Sequence, residues 1–192
     1  MELLAHLGVQ LDAGTITLQG AALSMSEFVQ GQMACSRVSV WLLEGQAGRR
    51  QMRRLAGYDG VTRTPITEPV VMHEAEFAAY FDALTKKGLY VCPDTLADPH
   101  LAAMRESYLL PRDIRASLDA TIGANGATWA VFCCAQQGGT REWTPQELRL
   151  LRRFTDAISV RRARRRRREA EALTLMQRLM TGEGLTADNN TP

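Results

Sequence analysis

Few side chains in this 192-residue sequence stand at spacings that catalysis or metal binding requires. His73 opens "HEAEF", which begins like the zinc-protease motif H-E-x-x-H, but Phe77 stands where the second histidine belongs. The stretch reads instead as a polar helix start. His6 and His100 are single histidines with no partner in the nearby sequence. Cys35, Cys92, Cys133 and Cys134 lack the spacing of metal ligands. The adjacent Cys133 and Cys134 would project to opposite faces of a strand, as small buried hydrophobes. No phosphate loop, no G-x-S-x-G elbow and no paired-cysteine motif is present. The reading is therefore of a protein that is not an enzyme, with no catalytic residue, no metal site and no assignable cofactor.

The densest chemistry is charge. Of 23 lysines and arginines against 21 acidic residues, seven arginines fall within Arg161–Arg168, and the remaining 16 basic residues leave the rest of the chain at net −5. A broad polyanion-binding face on the main body is excluded. A nucleic-acid contact would rest on Arg161–Arg168 alone, where seven cations could release counterions. No aromatics interleave with them, and no recognition fold accompanies them. No apolar run approaches the roughly 18 residues of a membrane span. The start "MELLAHLGVQ" carries Glu2 and no basic segment, unlike a signal peptide. Together with the sparse cysteines, this predicts a cytoplasmic protein in a reducing environment.

The elements that position these groups follow from periodicity. Leu3, Leu4, Leu7 and Leu11 share one helical face, stopped by Gly14. A second helix is predicted over 18–34, with Leu18, Ala22, Met25, Val29 and Met33 at helical spacing. "SRVSVWLLEG" alternates as a strand, "RRQMRRLAGYD" as its return, and a third strand is placed near Pro69–His73. A helix is predicted over 74–88, built on Phe77, Tyr80, Phe81 and Leu84. "LYVCPD" is a brief strand, and Asp98 with Pro99 opens a further helix running to Leu109. "SLDATIGANGATWAVFCCA" forms two strands around Asn125-Gly126, the second apolar on both faces as a central strand would be. Thr144, Pro145 and Glu147 open a long last helix with the stripe Leu148, Leu151, Phe154 and Ile158. The order predicts an α+β fold: a mostly antiparallel sheet of about six strands, helices on both faces and a long C-terminal helix.

The segments "SRVSVWLLEG", "YLLPRDIRASLDATIGANGATWAVFCC" and "REWTPQELRLLRRFTDAIS", in this order and at this spacing, resemble a GAF domain. They are similar to the sensor modules that precede histidine kinase or diguanylate cyclase domains in bacterial signalling proteins. The resemblance covers the GAF domain over 18–160, and the flanking sequence reads as an N-terminal helix over 1–17 with a possible dimer contact, an arginine-rich output helix over 161–181 and a polar, disordered tail over 182–192. The resemblance implies small-molecule sensing rather than catalysis. The Asn-Lys…Phe…Asp-Glu signature of cyclic-nucleotide GAF domains is missing. Cys92 precedes Pro93, where bilin-attaching domains have a histidine after the cysteine. The methionine sulfoxide reductase branch needs several cysteines in a region where only Cys92 lies. A redox switch or reductase-like enzyme using Cys92 is the alternative from another class, and a nucleic-acid-binding regulator using Arg161–Arg168 is a second.

With Leu118, Ala120 and Ile122 toward the main core, Ser117, Asp119 and Thr121 face the other side, where the resemblance places a ligand cavity. Tyr80, Phe81 and Tyr108 are expected as its walls. Asp119 needs a donor if buried, with Arg105 or Arg112 the candidates.

The last helix, counted from Pro145 to Met180 with no Gly or further Pro, would be about 54 Å long at 1.5 Å per residue, overhanging a body roughly 40 Å across. Like-charge contacts within 161–168 oppose it by roughly 1.5–3.5 kcal/mol at low salt. Extending the stripe of Leu151, Phe154 and Ile158 meets Arg161, Arg165 and Arg168 before reaching Ala172, Leu175 and Leu179. Its two apolar ends are expected to pack while the arginine middle stays solvated or meets acids. The resemblance implies a homodimer through Leu151, Phe154, Ile158, Leu175 and Leu179, with a separate effector protein as a possible further partner.

Overall fold

The computed structural model describes residues 2–124 and 126–181, with the side chains of 175 and 177–181 left undescribed. In chain order the elements are α1 (Glu2–Asp12), α2 (Leu18–Met33), β1 (Arg37–Glu44), β2 (Gln51–Asp59), β3 (Thr64–Pro65), β4 (Val71–His73), α3 (Ala78–Lys87), β5 (Leu89–Cys92), β6 (Ile114–Ala124), β7 (Ala127–Gln137) and α4 (Pro145–Thr181). The sheet runs β3-β2-β1-β7-β6-β5, with β4 also on β2, and all pairings are antiparallel. The predicted α+β architecture, an antiparallel sheet with helices on both faces and a long C-terminal helix, is the one observed, with seven strands where about six were expected. No helix among the described residues is long and apolar enough to cross a membrane.

The sheet separates two cores because β-strands send alternate residues to opposite faces. On one face α1, α2 and α4 bury Leu4, Val29, Met33, Leu151 and Phe154 against Val38, Val40, Leu118 and Phe132. On the other, α3 and the segment after β5 bury Phe81, Leu84, Leu101 and Met104 against Trp41, Met52 and Val131. The central position of β7, covered on both faces, explains its continuous apolar run. Phe132 and Val131 are both fully buried, each worth about 1.5–3 kcal/mol. The hairpin turns at Gly126 with φ 78°, a left-handed conformation that glycine adopts without strain; Asn125 lies outside the described residues.

Two expected helices differ. The predicted helix over 74–88 begins only at Ala78, because Glu74 is held at the sheet: its carboxylate accepts from the Arg50 amide at 2.9 Å and from Arg50 Nε at 3.0 Å. The stretch from Pro99 to Arg112 is no α-helix but two 3₁₀ turns flanking a π turn over Arg105–Leu109. Its buried residues explain the distortion. Leu101, Met104 and Leu109 are spaced three and then five apart, and an i→i+5 turn brings Leu109 back over Met104. The expected Asp98 cap is present, its carboxylate accepting from the His100 amide at 2.8 Å. The two-residue strand β3 was not anticipated, being too short to carry a period.

α4 begins as expected, with a reciprocal cap. The Thr144 hydroxyl accepts from the Glu147 amide at 3.2 Å, and Glu147 accepts from the Thr144 amide at 2.7 Å. The helix continues without a break to Thr181. The stretch 182–192, expected as a disordered tail, lies outside the described residues.

Candidate functional site

A cavity of about 60 Å³ lies between the sheet and the 99–112 segment, on the face opposite α2 and α4. Its floor comes from Ser39 and Trp41 of β1, Met52 and Arg54 of β2, Ser117 and Asp119 of β6, and Cys133 of β7. Tyr80 of α3, Met72 of β4 and Leu101, Met104 and Tyr108 of the irregular segment close it. That is room for a few waters or one compact molecule, well below the roughly 300–1,000 Å³ of drug-sized pockets.

Asp119 is the acidic pole, 4% exposed. The Tyr80 hydroxyl donates to its Oδ2 at 2.9 Å, and the Cys133 thiol and Ser117 hydroxyl are also within hydrogen-bonding reach. None of these is a cation. Burial therefore dominates and pushes the carboxyl up to about 7, while its neighbours pull the other way. Burial likewise pushes the Tyr80 hydroxyl and the Cys133 thiol well above their ordinary ranges, with the Asp119 charge adding to both.

The basic pole is Arg54, 9% exposed, its guanidinium stacked 4.9 Å from the Trp41 ring centre. Nη1 donates to the Glu68 carbonyl at 2.9 Å and Nη2 to the Tyr108 hydroxyl at 3.2 Å. Its Nε is buried with no acceptor. The Glu68 carboxylate lies 3.8 Å from Arg54 and is shared with Arg112, which also stacks on Tyr108 at 4.4 Å. One carboxylate thus faces two guanidiniums.

Of the expected ligand-site residues, Tyr80, Tyr108, Ser117 and Asp119 line the cavity; Phe81, Arg105 and Thr121 do not. Phe81 is fully buried behind Tyr80, in an edge contact at 6.1 Å. Arg105 turns away to donate to the Leu96 carbonyl at 2.5 Å, and Thr121 donates to the Gly88 carbonyl at 3.2 Å. Neither Arg105 nor Arg112 pairs with Asp119; a tyrosine hydroxyl takes that place. Arg54, Glu68 and Trp41 were missed. A signal for Arg54 existed: in "QMRRLAGYD" alternation puts it on the same side as Met52, a charge on an apolar face.

The thiols sort by face as alternation demands. Cys133 lines the cavity and Cys134 is buried in the opposite core. Cys92 is fully buried, and burial pushes its thiol up to about 12, leaving negligible thiolate at neutral pH. Neither feature favours a redox switch or reductase centred on Cys92.

The arginine run is partly docked on its own domain. Arg162 stacks over Trp129 at 4.5 Å, Arg165 pairs with Asp12 of α1 at 3.0 Å and with Glu169 at 2.8 Å, and Arg167 pairs with Glu171 at 2.7 Å. Arg164, Arg166 and Arg168 are solvent-exposed. Two of the residues expected to meet a partner are used internally: Leu151 is fully buried and Phe154 is 7% exposed, in the core beneath α4. Ile158 is half-buried, while Leu175 and Leu179 have undescribed side chains.

A family model for the GAF domain matches residues 18–161. Among solved structures, the phycocyanobilin-bound GAF domain of a cyanobacterial phytochrome is 13% identical, with a TM-score of 0.65 over 85% of this chain and 93% of that one. The blue-light absorbing form of the Thermosynechococcus elongatus PixJ GAF domain is 16% identical, with a TM-score of 0.65 over 83% and 92%. A far-red cyanobacteriochrome photoreceptor is 14% identical, with a TM-score of 0.64 over 85% and 98%. At such identities the likeness is one of fold. The comparison with curated protein sequences finds no match.

Proposed function

The chain belongs to the GAF domain family, and from that premise we propose that it is a non-catalytic sensor module of bacterial signal transduction. Its ligand is a small molecule held in the cavity beside Asp119, and α4 carries the state of that cavity outward. The observation that supports this reading most directly is a buried carboxyl and a buried guanidinium lining one apolar cavity without pairing with each other. Such groups are costly to bury for packing alone, and perturbed charges in a cleft are a mark of a functional site.

The route outward is short. β6 bears Asp119 on the cavity face and Leu118 and Ala120 on the face that packs under α2 and α4. The Gly123 amide of β6 donates to Ser159 of α4 at 3.1 Å. A shift of β6 on ligand binding therefore reaches α4 directly. In this reading the chain is a homodimer, and the exposed half of α4, with Leu173 at 62% and Met176 at 60% exposure, meets the second subunit or a separate effector protein. Four free thiols accord with a cytoplasmic location.

Native mass spectrometry of the purified full chain tests the proposal, since subunit count and retained small molecules appear in one spectrum. A dimer carrying a bound small molecule is expected. A monomer at micromolar concentration that retains nothing, and that no member of a metabolite panel stabilises against heat, would overturn it.

A further inference from the structure

Resting on that reading, we infer that the cavity binds a compact zwitterion, its anionic group taken by Arg54 and its ammonium by Asp119. The argument is one of unmatched charge. At the basic pole, Arg54 and Arg112 share the single carboxylate of Glu68, so one positive charge stands without a counter-ion. The other arginine on the wall, Arg37, has its own partner in Asp59 at 3.5 Å. At the acidic pole, the partners of Asp119 are two hydroxyls and a thiol, none of which balances a carboxylate.

The two poles cannot satisfy each other. Asp119 pairs across the sheet with Cys133, and Cys133 with Ser39, while Arg54 pairs with Trp41 one strand further out. Three strand spacings and the two-residue offset from Ser39 to Trp41 put the two α-carbons about 16 Å apart. That distance forbids direct contact and leaves room for a short molecule with charges at both ends. Cys133 sits between the poles, in the field of both.

Each pole also has hydrogen-bonding capacity to spare. The Arg54 Nε–H is buried without an acceptor, which a carboxylate could supply, and a carboxylate offers about four acceptor sites, which an ammonium could use. A plain cation would meet Arg54, and a plain anion would meet Asp119. The walls of Met52, Met72, Leu101 and Met104 suit a small aliphatic body, and the cavity volume of about 60 Å³ limits its size.

Calorimetric titration of the full chain tests this with glycine, L-alanine, L-valine and γ-aminobutyrate. Two single-charge relatives of valine serve as controls: isobutylamine, which lacks the carboxylate, and isovalerate, which lacks the ammonium. At least one zwitterion is expected to bind, with its single-charge relatives at least tenfold weaker. In Asp119→Asn, valine and isovalerate should bind alike, because the ammonium no longer contributes. Arg54→Lys, which keeps the charge but loses the planar fork, should weaken the zwitterion while circular dichroism confirms the fold. Absence of binding by all four zwitterions at millimolar concentration, or valine that binds but no more tightly than isobutylamine to the wild type, would overturn the inference. If native mass spectrometry then shows a retained molecule of another class, only the ligand assignment falls. If it shows none and no metabolite stabilises the chain, the sensor reading falls with it.

Discussion

A carboxyl group buried without a cation titrates where its environment dictates, and at Asp119 burial outweighs three hydrogen-bonding neighbours. The groups facing it are Tyr80 from α3, Cys133 from β7 and Tyr90 and Cys92 from β5, all pushed upward and so silent near neutrality. The folded protein holds the Asp119 proton up to about pH 7, whereas the unfolded chain releases it near 3.8. The unfolded state therefore binds fewer protons in that window, and the Asp119 contribution to stability declines as pH rises toward 7 and is flat above. Asp119→Asn keeps an acceptor for Tyr80 and removes the titration. Relative to the variant, the wild type should lose about 2 kcal/mol between pH 5 and pH 7, roughly 4–8 °C in Tm for a chain of this size. Thermal melts at several pH values check this, and parallel profiles for the two proteins would place the buried charge elsewhere. That Asp119 lies on the cavity face was legible from alternation with Leu118 and Ala120. That Tyr80 and not an arginine meets it was not, since the two lie 39 residues apart and only the docking of α3 brings them together.

Among the elements, the start of α4 is fixed by local chemistry and braced by a distant contact. The Thr144–Glu147 cap could be read from the sequence because capping partners lie three residues apart. Arg141 is the longer-range brace. It donates to Glu147 at 2.5 Å, to the Met33 carbonyl at the end of α2 at 2.7 Å and to Gln136 at 2.9 Å, and it stacks on Trp143 at 4.7 Å. Replacing Arg141 with Ala should cost about 2–4 kcal/mol, because charged hydrogen bonds are lost and partners are left unpaired. Thr144→Ala should cost about 1 kcal/mol. Urea unfolding of both variants gives the comparison, and equal losses would show that Arg141 braces nothing beyond the cap. The 99–112 segment shows the reverse situation. Asp98 and Pro99 announce a helix locally, yet the π turn exists because Met104 and Leu109 must both reach the second core, a demand set by the sheet.

At the scale of the whole molecule, α4 is one helix with two environments. Leu151 and Phe154 are enclosed by the domain, whereas beyond Arg162 every described side chain of the helix is exposed. The arginines mark the crossing: Arg162 and Arg165 fasten the helix to Trp129 and α1, and the residues after them leave the body. Exposed helical turns with no tertiary packing open readily. Hydrogen exchange should therefore be slow over 148–158 and fast over 165–174 in dilute protein. If the exposed half is the dimer contact, protection over 165–174 should grow between about 1 and 100 µM protein, as mass action requires. Unchanged exchange across that range would leave self-association without support and direct attention to a separate partner.

The sequence alone determined the order of the elements other than β3 and the irregular 99–112 segment, the two-faced sheet with β7 at its centre, the capped start of α4 and its continuation through the arginines. These rest on patterns of period two or 3.6 and on contacts between residues a few positions apart. Tertiary structure decided which charges share the cavity, that Arg54 and not Arg105 lines it beside Tyr108, that Leu151 and Phe154 belong to the domain's own core, and that Cys92 is sealed from solvent. Those outcomes depend on which strands become neighbours and which helix covers them, and side chains separated by 39 or 54 residues meet only when the whole sheet has closed around them.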